Sequence, residues 1–181
     1  VTSSLVQTKA SLEFFQLNRQ KDAVENLKDY LPKSQYDFNI ALQLLTFYNQ
    51  LNDKQNIQSL LKEMFLYYKN SEDALQLNKT ANLMFQNFEA NDIIMFLEGN
   101  NLEDDFILEL YKRTKQPEKA YDLLKKLYTN GSNPDYLAQQ AIIEFELAED
   151  KNSVLASVIE KFNISLKTSS NPIYQNYLAY L

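Results

Sequence analysis

Apolar residues recur along the chain at intervals of three and four, the spacing that gathers them on one side of an α-helix. In "QPEKAYDLLKKLY", residues 116–128, they fall at Ala120, Leu123, Leu124, Leu127 and Tyr128, just behind a proline. The same pattern predicts helices in pairs. "SLVQTKASLEFFQLN" is followed by "KDAVENLKDYL", "YDFNIALQLLTFYNQL" by "KQNIQSLLKEMFLYYK", and "EDALQLNKTANLMFQNF" by "NDIIMFLEG". Next come "LEDDFILELYKRT" with "PEKAYDLLKKLYTN" and "PDYLAQQAIIEFELAE" with "NSVLASVIEKF", before a last helix at "NPIYQNYLAYL". Two to five polar residues join the members of each pair, a length suited to neighbouring helices.

The pairs repeat. The first buried positions expected in the second helices are Ala23, Ile57, Ile93, Ala120 and Val154, separated by 34, 36, 27 and 34 residues. Three of those spacings lie at or near the roughly 34-residue period of tetratricopeptide repeats, and the chain resembles that family. The resemblance implies small residues at repeat positions 8 and 20, an aromatic at 11 and an apolar residue at 24. Taken in the order 8, 11, 20 and 24, the first pair supplies Ser11, Phe14, Ala23 and Leu27, and the second Leu45, Tyr48, Ile57 and Leu61. The third supplies Ala81, Met84, Ile93 and Leu97, and the fourth Leu108, Tyr111, Ala120 and Leu124. The fifth gives Ile142, Phe145, Val154 and Val158, and a partial sixth places Leu178 and Ala179 at positions 7 and 8.

The fold this implies is all-α, a right-handed superhelix of antiparallel helix pairs. Its repeats cover residues 4–37, 38–71, 72–101, 102–134 and 135–170, with a partial sixth over 171–181, in a single domain spanning 1–181. The family's Trp at position 4 and Gly at position 8 are absent, and a looser α-solenoid of the same general kind stays open as an alternative. Bulky residues at positions 8 and 20 of the second and fifth pairs predict wider helix separation there. The short third spacing predicts a stunted second helix ended by Gly99 and a local bend in the superhelix.

Composition removes whole classes of chemistry. Two glycines and four prolines in 181 residues agree with long helices and few turns. No histidine and no cysteine occur, so the commonest acid–base group, the soft metal ligands and disulfides are missing. The densest acidic group, Glu103, Asp104 and Asp105, stands just before an apolar-periodic run, where carboxylates favour a helix N-terminus. No glycine-rich phosphate loop is present, and the Asn-x-Ser/Thr triplets at Asn78, Asn130 and Asn163 read as chance matches. A net charge of −6 argues against a phosphate-neutralising surface, and "YKRTK" at 111–115 reads as a helix C-terminal turn. No apolar run approaches the roughly 18 residues of a membrane span. The expectation is a protein that is not an enzyme and has no metal, no cofactor, no nucleic-acid partner and no membrane insertion.

What remains is a surface. Each helix pair exposes an apolar face that its neighbour covers, and the stack leaves a groove lined by the first helices. The resemblance implies that this groove includes Thr8, Leu12, Phe15, Thr46, Asn49, Gln50, Asn78, Asn82, Phe85 and Gln86. Further along it includes Asp105, Glu109, Lys112, Tyr136, Gln139, Ile143 and Glu146. Of these, Phe15, Asn49, Asn78, Asn82, Phe85, Lys112, Tyr136 and Gln139 are the partner-binding candidates. Asn78 and Asn82, one turn apart, offer amides to a partner's backbone, while Phe15 and Phe85 offer apolar anchors. A clamp for a terminal carboxylate is not expected, because the charged groove residues are mainly acidic.

At the other end, Tyr174, Tyr177, Leu178 and Leu181 are expected to lie uncovered. That predicts a fragment of a longer protein or an edge that meets another chain, with self-association through these four residues. Two functions from different classes follow. One is a non-catalytic scaffold or adaptor for a protein partner. The other is a peptide-binding chaperone or receptor similar to the small acidic secretion chaperones built on such repeats. A third, the regulatory arm of an enzyme, has less behind it.

Overall fold

All four prolines open a helical segment in the computed structural model, which describes residues 2–102 and 105–181. Pro117, Pro134 and Pro172 begin α-helices, and Pro32 begins a short 3₁₀ turn at Pro32–Ser34. At the first turn proline's missing N–H costs nothing and its fixed φ already suits the helix. Eleven α-helices and no strand occur among the described residues. They are α1 (Ser3–Phe15), α2 (Gln20–Tyr30), α3 (Phe38–Gln50), α4 (Lys54–Asn70), α5 (Ala74–Asn87) and α6 (Ala90–Gly99). The series continues with α7 (Asp105–Arg113), α8 (Pro117–Gly131), α9 (Pro134–Leu147), α10 (Lys151–Leu166) and α11 (Pro172–Tyr180). Glu103 and Asp104, read from the sequence as helix-starting carboxylates, lie outside the described residues.

Side-chain caps fix the starts. Asp37, Asp53, Asp73, Asn133, Asp150 and Asn171 each accept a backbone N–H from the first turn that follows. The ends are made without glycine's freedom. Gly99 and Gly131 close α6 and α8, yet neither has a positive φ; Asn101 (φ 54°) and Ser132 (φ 52°) turn left-handed instead. Asn52, Glu72 and Lys115 do the same after α3, α4 and α7. Beyond the left-handed residue, Asp53 donates its N–H to Tyr48 O (2.9 Å), Asp73 to Tyr68 O (3.1 Å), Leu102 to Leu97 O (2.9 Å) and Gln116 to Tyr111 O (2.9 Å). This is the Schellman bond, which satisfies a carbonyl left open at the helix end.

A left-handed non-glycine residue carries about 1–2 kcal/mol of strain. Lys115→Gly is therefore expected to raise stability by about 0.5–1 kcal/mol, the relief being partly offset by glycine's extra unfolded-state entropy. A urea titration of the two proteins measures it. A loss of stability would mean that the Lys115 side chain contributes more than its backbone costs.

The chain divides into two compact units, Val1–Glu89 and Ala90–Leu181, so that α5 belongs to the first and α6 to the second. Within the first unit α1 meets α2 and α3, α2 meets α3, α3 meets α4, and α4 meets α5. Within the second, each helix from α6 to α11 meets the next. The residues aligned at repeat position 24, Leu27, Leu61, Leu97, Leu124 and Val158, are all fully buried. Phe14, Tyr48, Met84 and Tyr111 at position 11 are buried too, while Phe145 is half-buried. In the first unit the rings of Phe14 and Phe47 stack with centroids 4.0 Å apart.

The fifth pair packs differently from expectation. Ile142 and Val154, the bulky residues expected to hold α9 and α10 apart, are only partly buried. Ala138 and Ala141 are fully buried in one cluster with Val158, Phe162 and Tyr174, and Ile142 and Val154 pack against its edge. Small side chains one turn and one residue earlier let the helices approach, so α9 and α10 share extensive contact. Tyr177, Leu178 and Leu181 pack, partly buried, on the same cluster. The face of α11 expected to lie uncovered is thus turned onto its own unit, because α10 supplies the apolar surface it needs. Its exposed large apolar residues are Ile173 and Tyr180.

Candidate docking faces

The first helix is apolar on two sides, and only one of them is used inside. Ala10 and Phe14, one turn apart, face the core. Leu5, Leu12 and Phe15 are 61%, 43% and 61% exposed, and Leu42 of α3 is 37% exposed. Between α1 and α3 runs an open valley of about 480 Å³, lined by Gln7, Thr8, Ser11, Phe15, Leu42, Gln43, Thr46 and Phe47. None of these side chains is charged.

The valley is built on fixed parts. Gln43 Nε2 donates to Gln7 O (2.9 Å) and Ser11 Oγ (2.7 Å), tying α3 to α1 across its floor. The hydroxyls of Thr8 and Thr46 donate to their own helices, at Ser4 O (2.9 Å) and Leu42 O (2.8 Å). Phe15 meets Phe14 and Phe47 edge-on at 4.9 and 5.7 Å, so its ring is held in place although most of it is exposed. An ordered, uncharged surface of this kind has no group for proton transfer or metal ligation. It suits apolar contact with amide hydrogen bonds at the margins.

The other predicted residues of this unit lie outside the valley. Asn49 is exposed near the end of α3. Asn78 and Asn82 are exposed on α5, and neither amide has a hydrogen-bond partner among the described residues. Phe85 is half-buried on the same helix.

In the second unit three predicted residues do come together. Lys112 Nζ donates to Gln139 Oε1 (2.6 Å), and Gln139 Nε2 donates to Asp135 Oδ2 (2.6 Å). Tyr136 donates its hydroxyl to Asp105 Oδ1 (3.0 Å), and Tyr174 donates to Asp135 Oδ1 (2.5 Å). Burial, then the bond to Asp135, pushes the Tyr174 hydroxyl well above the usual tyrosine range, so it stays a donor. The cleft among these groups is small, about 270 Å³. Its polar atoms largely satisfy one another, tying α7, α9 and α11 together. Other ties in this unit are also internal: Glu98 accepts from Lys119 (2.9 Å) and Tyr111 (2.7 Å), which hold its carboxyl below its ordinary pKa. Lys161 bridges Glu144 and Tyr121.

Sequence reasoning missed Leu5, Leu42 and Gln43. The available signal was the second apolar stripe of α1, with Leu5, Thr8, Leu12 and Phe15 at intervals of three and four. The chain matches no family model, no curated protein and no solved structure. No described helix is long and apolar enough to cross a membrane. No group of three or more acidic side chains suited to a metal occurs among the described residues.

Proposed function

We propose that this chain is a non-catalytic scaffold or adaptor, a TPR-like α-solenoid segment that presents the α1–α3 valley to a protein partner. The observation that carries the reading is the valley with its margin: Phe15 and Leu42 line it partly exposed beside uncharged neighbours, and Leu5 and Leu12 are exposed on the same helix α1. Exposed apolar side chains gathered on one face mark interaction sites more often than scattered ones do. The repeat reading draws support from full burial at all five position-24 residues and, within each unit, from the succession of contacts between neighbouring helices.

The experiment is selection of binders from a displayed peptide library on the intact chain. A double variant, Leu12→Glu with Leu42→Glu, serves as the counter-screen. Both positions are exposed, so the fold should tolerate the carboxylates while an apolar partner should not. Binding weakened by at least tenfold in the variant is expected. Binders that ignore both substitutions would remove the valley from the proposal.

A further inference from the structure

Both walls of the α1–α3 valley are helices, so between their end turns the backbone N–H and C=O groups are already paired. The lining side chains add little to that. Gln43 gives its Nε2 to Gln7 O and Ser11 Oγ, and the hydroxyls of Thr8 and Thr46 go to carbonyls of their own helices. Gln43 Oε1 has no hydrogen-bond partner, yet it is closed off from solvent and so from an incoming group.

An extended segment binds through a row of main-chain hydrogen bonds, because it arrives with its own backbone groups open. Laid along this valley, it would give up water and find only scattered side-chain groups such as the Gln7 amide in return. An α-helix brings its backbone already paired. It needs only a surface to pack on.

Charge narrows the partner further. Helix α3 contains no charged residue, and α1 contains only Lys9 and Glu13. These two lie 3.7 Å apart, Glu13 is 5% exposed, and neither lines the valley. A charge pressed onto this surface would lose water without gaining a counter-charge. The face turned inward must therefore be uncharged.

The walls also have the grain of a helix interface. Leu5, Thr8, Leu12 and Phe15 on α1, and Leu42 with Thr46 on α3, are exposed rows at helical spacing. Rows of this kind receive the side-chain ridges of a third helix. The row from Leu5 to Phe15 runs about 15 Å, the length of about three helical turns.

We propose that the partner seated in the valley is an amphipathic α-helix of about three turns or more, its inner face apolar and uncharged. The inference rests on the valley being the docking face and adds the form of what docks there.

Two displayed libraries of equal size are the probes, one on a monomeric helical scaffold and one of linear peptides with prolines spaced to forbid a helix. Binders to the intact chain are kept when affinity falls about tenfold or more in the Leu12→Glu, Leu42→Glu variant. The kept binders are expected from the helical library. A lysine scan along one of them should weaken binding at positions recurring every three and four residues, and hardly between. Kept binders from the proline library, or losses at alternate positions, would overturn the helical partner and leave the valley as the docking face. Binders indifferent to the double variant, or none from either library, would overturn both. Should the double variant fold poorly, Thr8→Lys, at an exposed position of the same wall, replaces it with the same loss expected.

Discussion

Replacing Phe47 with alanine is expected to cost about 3–5 kcal/mol, most of the stability of a unit this size. The ring is 1% exposed and stacks on Phe14 at 4.0 Å with planes 13° apart. Truncation removes the transfer energy of the side chain and leaves a cavity that α1 and α3 cannot fill, since Gln43 holds them at a set distance. The lost ring pairing adds roughly 0.5–1.5 kcal/mol. With urea slopes of about 1–3 kcal/mol per molar, the midpoint should fall by roughly 1 M or more. Urea unfolding followed by circular dichroism measures this. A shift smaller than about 1 kcal/mol would mean that the α1–α3 contact does not hold the first unit together.

Phe15, the next-door ring, should behave in the opposite way. It is 61% exposed, so Phe15→Ala forfeits only partial burial and two edge contacts, about 1 kcal/mol. For a partner seated in the valley the same ring is a preset aromatic anchor, and such anchors cost about 2 kcal/mol or more when truncated. Affinity for a binder recovered against the valley should therefore drop by about 30-fold, with a nearly unchanged urea midpoint. The combination separates docking from folding. Large loss of stability with intact affinity would assign Phe15 to the core instead.

Much of the helical architecture was legible in the chain, for a physical reason. Spacing of apolar residues reports which side of a helix avoids water, so Leu27, Leu61, Leu97, Leu124 and Val158 could be named as buried from alignment alone. Pro117, Pro134 and Pro172 announced helix starts, and the short α6 followed from the contracted third spacing. Spacing does not report which of two neighbouring residues enters a contact. That is why Ala138 and Ala141 hold the centre of the α9–α10 cluster and Ile142 and Val154 its edge. Nor does it show where a helix folds back, so the apolar side of α11 read as uncovered although α10 receives it.

The candidate site was less legible. Lys112, Tyr136 and Gln139 were named as groove residues, but they belong to a network that joins Lys112 and Asp105 of α7 to Gln139 and Tyr136 of α9, and Asp135 of α9 to Tyr174 of α11, a proximity that is a tertiary fact. Phe15, named as a groove residue, is exposed on α1, while Leu42 and Gln43 needed the α1–α3 contact to be recognised.

Hydrogen exchange of the intact chain, alone and saturated with a selected protein partner, tests the docking reading most directly. Protection concentrated in Ser3–Phe15 and Phe38–Gln50, the two helices that wall the valley, is the result expected. Protection confined to residues 105–180, with α1 and α3 exchanging as in the free chain, would contradict it.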